Sequence, residues 1–223
     1  MALVAPIDDS ALALRTVVLQ PDESTSIGDP DLDSLLYVAG GTGRLTLGGE
    51  EHALHPSGAA LLLAGEQASL SADAELEVVV ATVGPHVDRH APMGSRDVVL
   101  SLDEAEAQGA TGARSFHLLF GPHNGSTRAT LFAGFVPPGK APWHYHLYDE
   151  IVWVPEGPGR LHSGQSTVEL EPGSAFRLRP REVHIVENLG EHTMTVIGIF
   201  TPAGSPSAAY LTADVAAEYR FAG

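Results

Sequence analysis

The stretch WHYHLYDE, residues 143–150, sets His144 and His146 two residues apart and Glu150 four residues beyond the second. In an extended strand, residues i and i+2 project to one face about 7 Å apart. The two imidazoles therefore share a face, and Tyr145 takes the other. The next run, EIVWV from Glu150, reads as a strand that puts Glu150, Val152 and Val154 on one side. A short turn brings Glu150 back to the histidine pair. Further on, RPREVHIVEN carries His184 at the start of another strand, with Val186 and Asn188 on its side. Three neutral imidazoles and one carboxylate suit a divalent first-row transition ion, and four protein ligands on an octahedral ion leave positions for water, substrate or dioxygen. The sequence thus predicts His144, His146, Glu150 and His184 as ligands of one metal ion per chain. Fe, Mn, Ni, Cu, Co and Zn all accept this set. Glu150 is also the candidate catalytic base.

Neighbouring residues read differently. Asp149 points away from Glu150 and is expected in a turn or at the surface. Tyr148 lies on the turn between ligands, where it either closes the pocket or packs at its rim. Trp143 and Tyr145 alternate with the histidines and are expected to pack outward against a neighbouring domain; Trp153 is expected between domains by the same parity. Arg128 and His123 read as surface residues, and one of Arg177 and Arg179 is a candidate anion anchor.

The elements that position these groups are short. LLYVA from Leu35, AALLLA from Ala59, ELEVVVATV from Glu75, ATLFAGFV from Ala129 and MTVIGIF from Met194 are rich in branched and aromatic residues and bounded by turn residues. That is the pattern of an all-β fold with many short strands. Two stretches predict short helices, LDEAEAQ from Leu102 and TADVAAEYR from Thr212.

The chain also repeats itself. Residues 35–66 lie over residues 151–182 without a gap, at a constant offset of 116. Gly41 and Gly43 meet Gly157 and Gly159; Arg44 and Leu45 meet Arg160 and Leu161; Pro56 meets Pro172 and Glu66 meets Glu182. A period this long matches a small β-domain rather than a solenoid repeat. The expected division is residues 1–84, a linker at 85–113 holding a strand and a short helix, and residues 114–223. Under the same offset, His144, His146, Glu150 and His184 fall on Gly28, Pro30, Ser34 and Ala68. The first half is therefore expected to be a metal-free copy.

Composition removes other classes. The net charge of −16 opposes a nucleic-acid partner. With no cysteine there are no disulfides, thiolate metal sites or cysteine nucleophiles. The start, MALVAPIDDSALALR, does not read as a signal peptide, and no apolar run is long enough to span a bilayer. The expectation is a cytoplasmic protein with a small-molecule substrate and with neither nucleic acid nor membrane as partner.

The chain resembles the cupins. GKAPWHYHLYDEIVWVPEG, residues 139–157, is similar to the first cupin motif, with its glycine, His-x-His, glutamate and glycine. GSAFRLRPREVHIVEN, residues 173–188, is similar to the second, with glycine, Pro-x-Gly, histidine and asparagine. The leading glycine stands one residue closer than usual. In the second motif the proline is displaced to Pro180, and Arg181 replaces the second glycine. The resemblance is strong over residues 126–203 and reaches most of the remainder through the repeat. It implies two tandem cupin jelly-roll β-barrels with few short helices, the metal inside the second. Because cupins often pair through barrel edges, it also implies a homodimer.

The function this implies is a metal-dependent dioxygenase acting on a small enol, diketone or flavonol-like substrate. A metal-dependent isomerase or epimerase of a small sugar or hydroxy acid would use the same site by proton transfer. A non-catalytic small-ligand-binding cupin is the third reading, though no DNA-binding helical module of the kind that accompanies cupin sensors is visible. Storage cupins generally lose the ligands retained here.

Overall fold

A computed structural model describes residues 11–110 and 113–214. The first barrel contains β1 (Leu12–Leu19), β2 (Ser24–Ile27), β3 (Asp33–Gly40), β4 (Gly43–Leu47), β5 (Glu50–Leu54), β6 (Gly58–Leu62), β7 (Ala68–Ala72), β8 (Leu76–Val83) and β9 (Val99–Ser101). They form two antiparallel sheets, β1-β8-β3-β6-β9 and β2-β7-β4-β5. The second barrel contains β10 (Ala107–Gly109), β11 (Ser115–Phe120), β12 (Thr130–Val136), β13 (Gly139–Lys140), β14 (His144–His146), β15 (Asp149–Val154), β16 (Gly159–Ser163), β17 (Ser166–Leu170), β18 (Ser174–Leu178), β19 (His184–Asn188), β20 (Met194–Thr201) and β21 (Ala209–Leu211). Its sheets are β10-β11-β12-β20-β15-β18 and β17-β16-β19-β14-β21, with β13 also paired to β19. Two jelly-roll barrels result, as the resemblance implied.

The repeat is visible strand by strand. β4, β5, β6 and β7 begin and end 116 residues before β16, β17, β18 and β19. β8 and β20 differ by 118, from Leu76 to Met194, so the turn before β20 is two residues longer. Local bonding repeats as well. The Glu66 carboxylate accepts from the Leu63 N–H at 2.8 Å, and Glu182 accepts from the Arg179 N–H at 3.0 Å, in the matching turns.

Strand parity explains why the central runs are apolar on both faces. In β3, Leu36 and Val38 fill the first barrel, while Leu35 and Tyr37 face the second. In β15, Val152 and Val154 line the second barrel, while Ile151 and Trp153 face the first. A strand buried on both sides loses its polar alternation. The shared layer between the barrels includes Leu61, Val79, Leu131 and Ile199, and Trp153 lies against Tyr37 with ring centroids 6.2 Å apart. Trp153 is thus between the barrels, as its parity predicted.

The connecting segment holds the expected strand, Val99–Ser101, which joins β6 of the first barrel, but not the expected helix. The helix expected at LDEAEAQ shortens to a single 3-10 turn, Leu102–Glu104, followed by β10, which pairs with β11. This acidic stretch has no apolar stripe to bury as a helix, and none of the turn's residues is buried. Pairing with β11 therefore prevails over local propensity. The helix expected in TADVAAEYR falls mainly on residues 215–220, outside those described. No helix among the described residues is long and apolar enough to cross a membrane.

Candidate metal centre

β14 brings the histidine pair into the second barrel. His144 and His146 are buried, and Tyr145 faces out to stack on Tyr210 at 5.4 Å. Its neighbour is therefore β21, a strand of its own barrel, and Trp143 likewise meets His162 of β16. Packing of these two rings against the other domain is corrected accordingly. β14 lies between β19 and β21, and its His144 pairs directly with His184. Glu150 arrives on β15, buried, with its Oε2 2.9 Å from His146 Nε2. Imidazole centroids are 4.4 Å apart for His144 and His184, and 5.1 Å for His146 and His184. The four predicted residues converge.

Each imidazole is oriented by the backbone. His144 Nδ1 lies 2.8 Å from the Pro142 carbonyl, His146 Nδ1 3.0 Å from that of Tyr148, and His184 Nδ1 2.9 Å from that of Glu182. A carbonyl can only accept, so each Nδ1 carries a hydrogen, and in the neutral ring Nε2 keeps its lone pair. This is the support that metal-binding histidines use to fix tautomer and ring direction.

Two of the three imidazoles are held neutral by their surroundings. Burial pushes His144 down to about 3, with the neighbouring His184 and Arg114 acting in the same direction. Burial also lowers His184. For His146, burial again acts downward, but hydrogen bonding and attraction from Glu150 outweigh it and raise the group. Although Glu150 Oε2 is close, His146 Nε2 has no hydrogen-bond partner of acceptable direction. Two ligands at right angles on one ion, each about 2.1 Å from it, stand about 3 Å apart. The buried, unsatisfied Nε2 facing a carboxylate at that separation fits a cation. Among the described residues no three such side chains are arranged to hold a metal ion as they stand. By donor type alone the set suits a divalent first-row ion.

The cavity over these donors measures about 90 Å³ and is walled by Phe116, Phe132, Phe135, Val152 and Val196. Tyr148 closes one side. Its ring stacks on His146 at 4.0 Å and on Phe200 at 3.9 Å, and its hydroxyl donates to the Pro206 carbonyl at 3.3 Å. Burial, reinforced by Glu150, raises its phenol far above the ordinary value and keeps it protonated.

Other residues serve the frame. Asn188 donates to the carbonyls of Val136 and His192 at 2.8 and 2.7 Å and accepts from Gly190 N–H, pinning β19. Arg181 holds a left-handed φ of 68°, where its counterpart Gly65 has 88°; its N–H donates to the His146 carbonyl at 2.7 Å. Asp149 receives a bidentate grip from Arg177 at 2.8 and 2.7 Å and a further contact from Arg179 at 3.1 Å. Neither arginine lines the cavity, so the anion-anchor expectation for this pair is corrected. Arg128 is not at the surface. It is buried against Asp33, Nη1 to Oδ1 3.0 Å, and ties the two barrels together.

One residue escaped the sequence reading. Arg114, directly before β11, lines the cavity with Nη1 3.5 Å from His144 Nε2. Its parity with Phe116 was the available signal, but the inward face of β11 depends on pairing with β12.

Among the described residues the first barrel has no matching donor set. The pair formed by His144 and His184 is replaced by Ile27 and Ala68, and Ser34 stands where Glu150 does. The pairing puts Ile27, not Gly28, opposite His144, because the second barrel has one extra residue between β13 and β14. Lys140 pairs with Glu187 as Ser24 does with Ser71, but four steps then lead to His144 against three to Ile27. The added bulge contains Pro142, whose carbonyl orients His144.

The comparisons with known proteins agree with this geometry. The family model for the cupin domain matches residues 132–200. AerE from Microcystis aeruginosa is similar over 88% of this chain and 90% of its own, at 14% identity and a TM-score of 0.73. Bacillus subtilis oxalate decarboxylase OxdC, in a structure describing its Mn(II) centres, is similar over 91% of this chain and 71% of its own, at 15% identity and a TM-score of 0.72. A Cupin 2 conserved barrel domain protein from Leptotrichia buccalis covers 87% of this chain and 85% of itself, at 14% identity and a TM-score of 0.62. No curated protein matches the chain significantly. Residues 132–200 of the second barrel thus match the cupin domain, and the chain as a whole shares the fold of these structures.

Proposed function

We propose that this cupin is a metal-dependent enzyme whose chemistry occurs in the second barrel, on a small oxygen-rich substrate. The observation that carries the reading is the common orientation of His144, His146 and His184. Each gives its Nδ1 hydrogen to a backbone carbonyl, leaving three Nε2 lone pairs and the Glu150 carboxylate in one buried pocket. Those four residues would hold one divalent first-row transition ion. Bound there, the ion would supply Lewis-acid and, if redox-active, electron-transfer chemistry.

The finer reading is a dioxygenase for a small enol or diketone. Glu150 is the group that takes the proton from such a substrate. Tyr148, held protonated, covers His146 and keeps water off that side. The phenylalanine wall selects a compact apolar outline. A cavity of about 90 Å³ is far below the several hundred Å³ of pockets for drug-sized ligands. Flavonols are thus set aside, and molecules of a few non-hydrogen atoms remain.

Oxygen uptake with small enols and β-diketones, on protein loaded with Fe, Mn, Ni or Cu, tests this. The expected result is substrate-dependent oxygen consumption that His144→Ala abolishes. Exchange of a substrate C–H hydrogen with solvent, without oxygen uptake, would overturn the dioxygenase reading in favour of an isomerase.

A further inference from the structure

We infer that Phe132 fixes how large a substrate the second barrel admits, because its ring lies across Gly134 and Gly198. The inference rests on the metal reading and adds to it the side chain that limits substrate size beside Glu150.

Phe132 projects into the second barrel from β12, and Gly198 is its partner on β20. A Cβ at Gly198 would overlap Cε1 and Cζ of the Phe132 ring and stand 2.8 Å from Glu150 Oε1. A Cβ at Gly134 would stand 3.2 Å from Phe132 Cε2 and 2.9 Å from Val196 Cγ2. The two edges of the ring therefore rest on the two glycines. Neither glycine holds a left-handed φ, so space and not backbone conformation excludes a side chain there. Phe116 and Phe200 stand edge-on to the ring, with centroids 6.3 and 6.0 Å away. In a close-packed surrounding of this kind the ring is a fixed wall.

The first barrel shows the same space filled differently. β8 and β20 match at an offset of 118, which puts Val80 in place of Gly198. Val80 pairs with Leu36 as Gly198 pairs with Val152, and it is fully buried in the packed core. In the second barrel the Phe132 ring takes that room. It walls the cavity, and its Cε1–Cζ edge borders the same point as Glu150 Oε1. A substrate that reaches this carboxylate oxygen lies against the ring. An apolar cavity of about 150 Å³ accommodates benzene, whereas the one here measures about 90 Å³. Removing the Phe132 ring vacates the space of one phenyl group at its side.

The test uses imidazole and 4-phenylimidazole, which bind a transition ion through a ring nitrogen and differ by one phenyl group. Both are titrated calorimetrically into nickel-loaded protein. Metal content is measured on every sample by elemental mass spectrometry, and folding by circular dichroism. Phe132→Ala should tighten 4-phenylimidazole by about 10- to 100-fold, the contribution of burying one aromatic ring, and Phe132→Leu by less. Imidazole affinity should stay within about threefold of wild type in both, with metal content unchanged. Gly198→Ala should act in reverse, driving the ring into the cavity and weakening imidazole by about tenfold; Gly198→Ala combined with Phe132→Ala should recover most of that loss. A folded, loaded Phe132→Ala protein with wild-type affinity for 4-phenylimidazole would overturn the size limit and leave the metal reading standing, as would an equal gain from Phe116→Ala. Wild type and variants that take up no nickel would overturn the metal reading, and this inference with it.

Discussion

The two barrels use the same strands to opposite ends. In the first, β2, β3 and β7 direct Ile27, Ser34 and Ala68 inward, and leucine and valine fill the space. In the second, the matching positions carry His144, Glu150 and His184, and the interior opens into a cavity. One inserted residue separates the two arrangements at β14, and it provides the carbonyl that aims His144. The difference teaches that the barrel is a neutral frame. A handful of inward side chains decides whether its interior is a packed core or a chemical site, while the outward faces join the two copies.

That division of labour can be broken at the join first. Arg128 and Asp33 are buried partners from different barrels, and Asp33 Oδ1 also accepts from the Ala64 N–H at 2.9 Å. Arg128→Met removes one partner and strands the other charge, so urea unfolding should show a loss of about 3–5 kcal/mol. Arg128→Met combined with Asp33→Leu should recover most of it, since no charge is then left buried. Metal content should be unchanged in both, because the pair lies outside the site.

The matched turns offer two smaller tests. Arg181 holds a conformation that its counterpart meets with Gly65. Relief of left-handed strain, offset by the greater freedom of an unfolded glycine, predicts that Arg181→Gly raises stability by up to about 1 kcal/mol. Thermal and urea unfolding would show it. Glu66 in the first barrel is gripped by both Nη atoms of Arg96 at 2.5 Å. Burial acts to raise its carboxyl, but the Arg96 and Leu63 hydrogen bonds overcome that and hold it below the usual range. A depressed folded value stabilises the protein above the unfolded carboxyl pKa of about 4.3, and the benefit disappears as pH falls through the folded value. Glu66→Gln should therefore flatten the acid limb of a stability–pH curve, by under about 1 kcal/mol because the pair is partly solvated.

Much of this was legible in the residues. The offset of 116 located four strands of each barrel, because turn glycines and alternating apolar positions are local signals. The ligand spacing was legible in part for the same reason: strand parity puts His144 and His146 on one face, and the resemblance to the two cupin motifs joined Glu150 and His184 to them. What stayed hidden depended on partners distant in the chain. Arg114 faces inward only once β11 has paired with β12. Arg177 is turned from the pocket by Asp149, and Arg128 is buried by Asp33 of the other barrel. The bulge at Pro142 could not be seen by laying the repeats over each other, since it appears only in the hydrogen-bond register of β13 and β14 against β19.

The central claim is that one barrel holds a metal ion and its copy does not. Elemental mass spectrometry of protein purified without chelators or a metal-binding tag, beside the His144→Ala, His146→Ala double variant, tests it most directly. The account predicts close to one transition-metal ion per chain in the wild type and none in the variant, with both proteins folded by circular dichroism. Two ions per chain, or an ion retained by the folded variant, would contradict it.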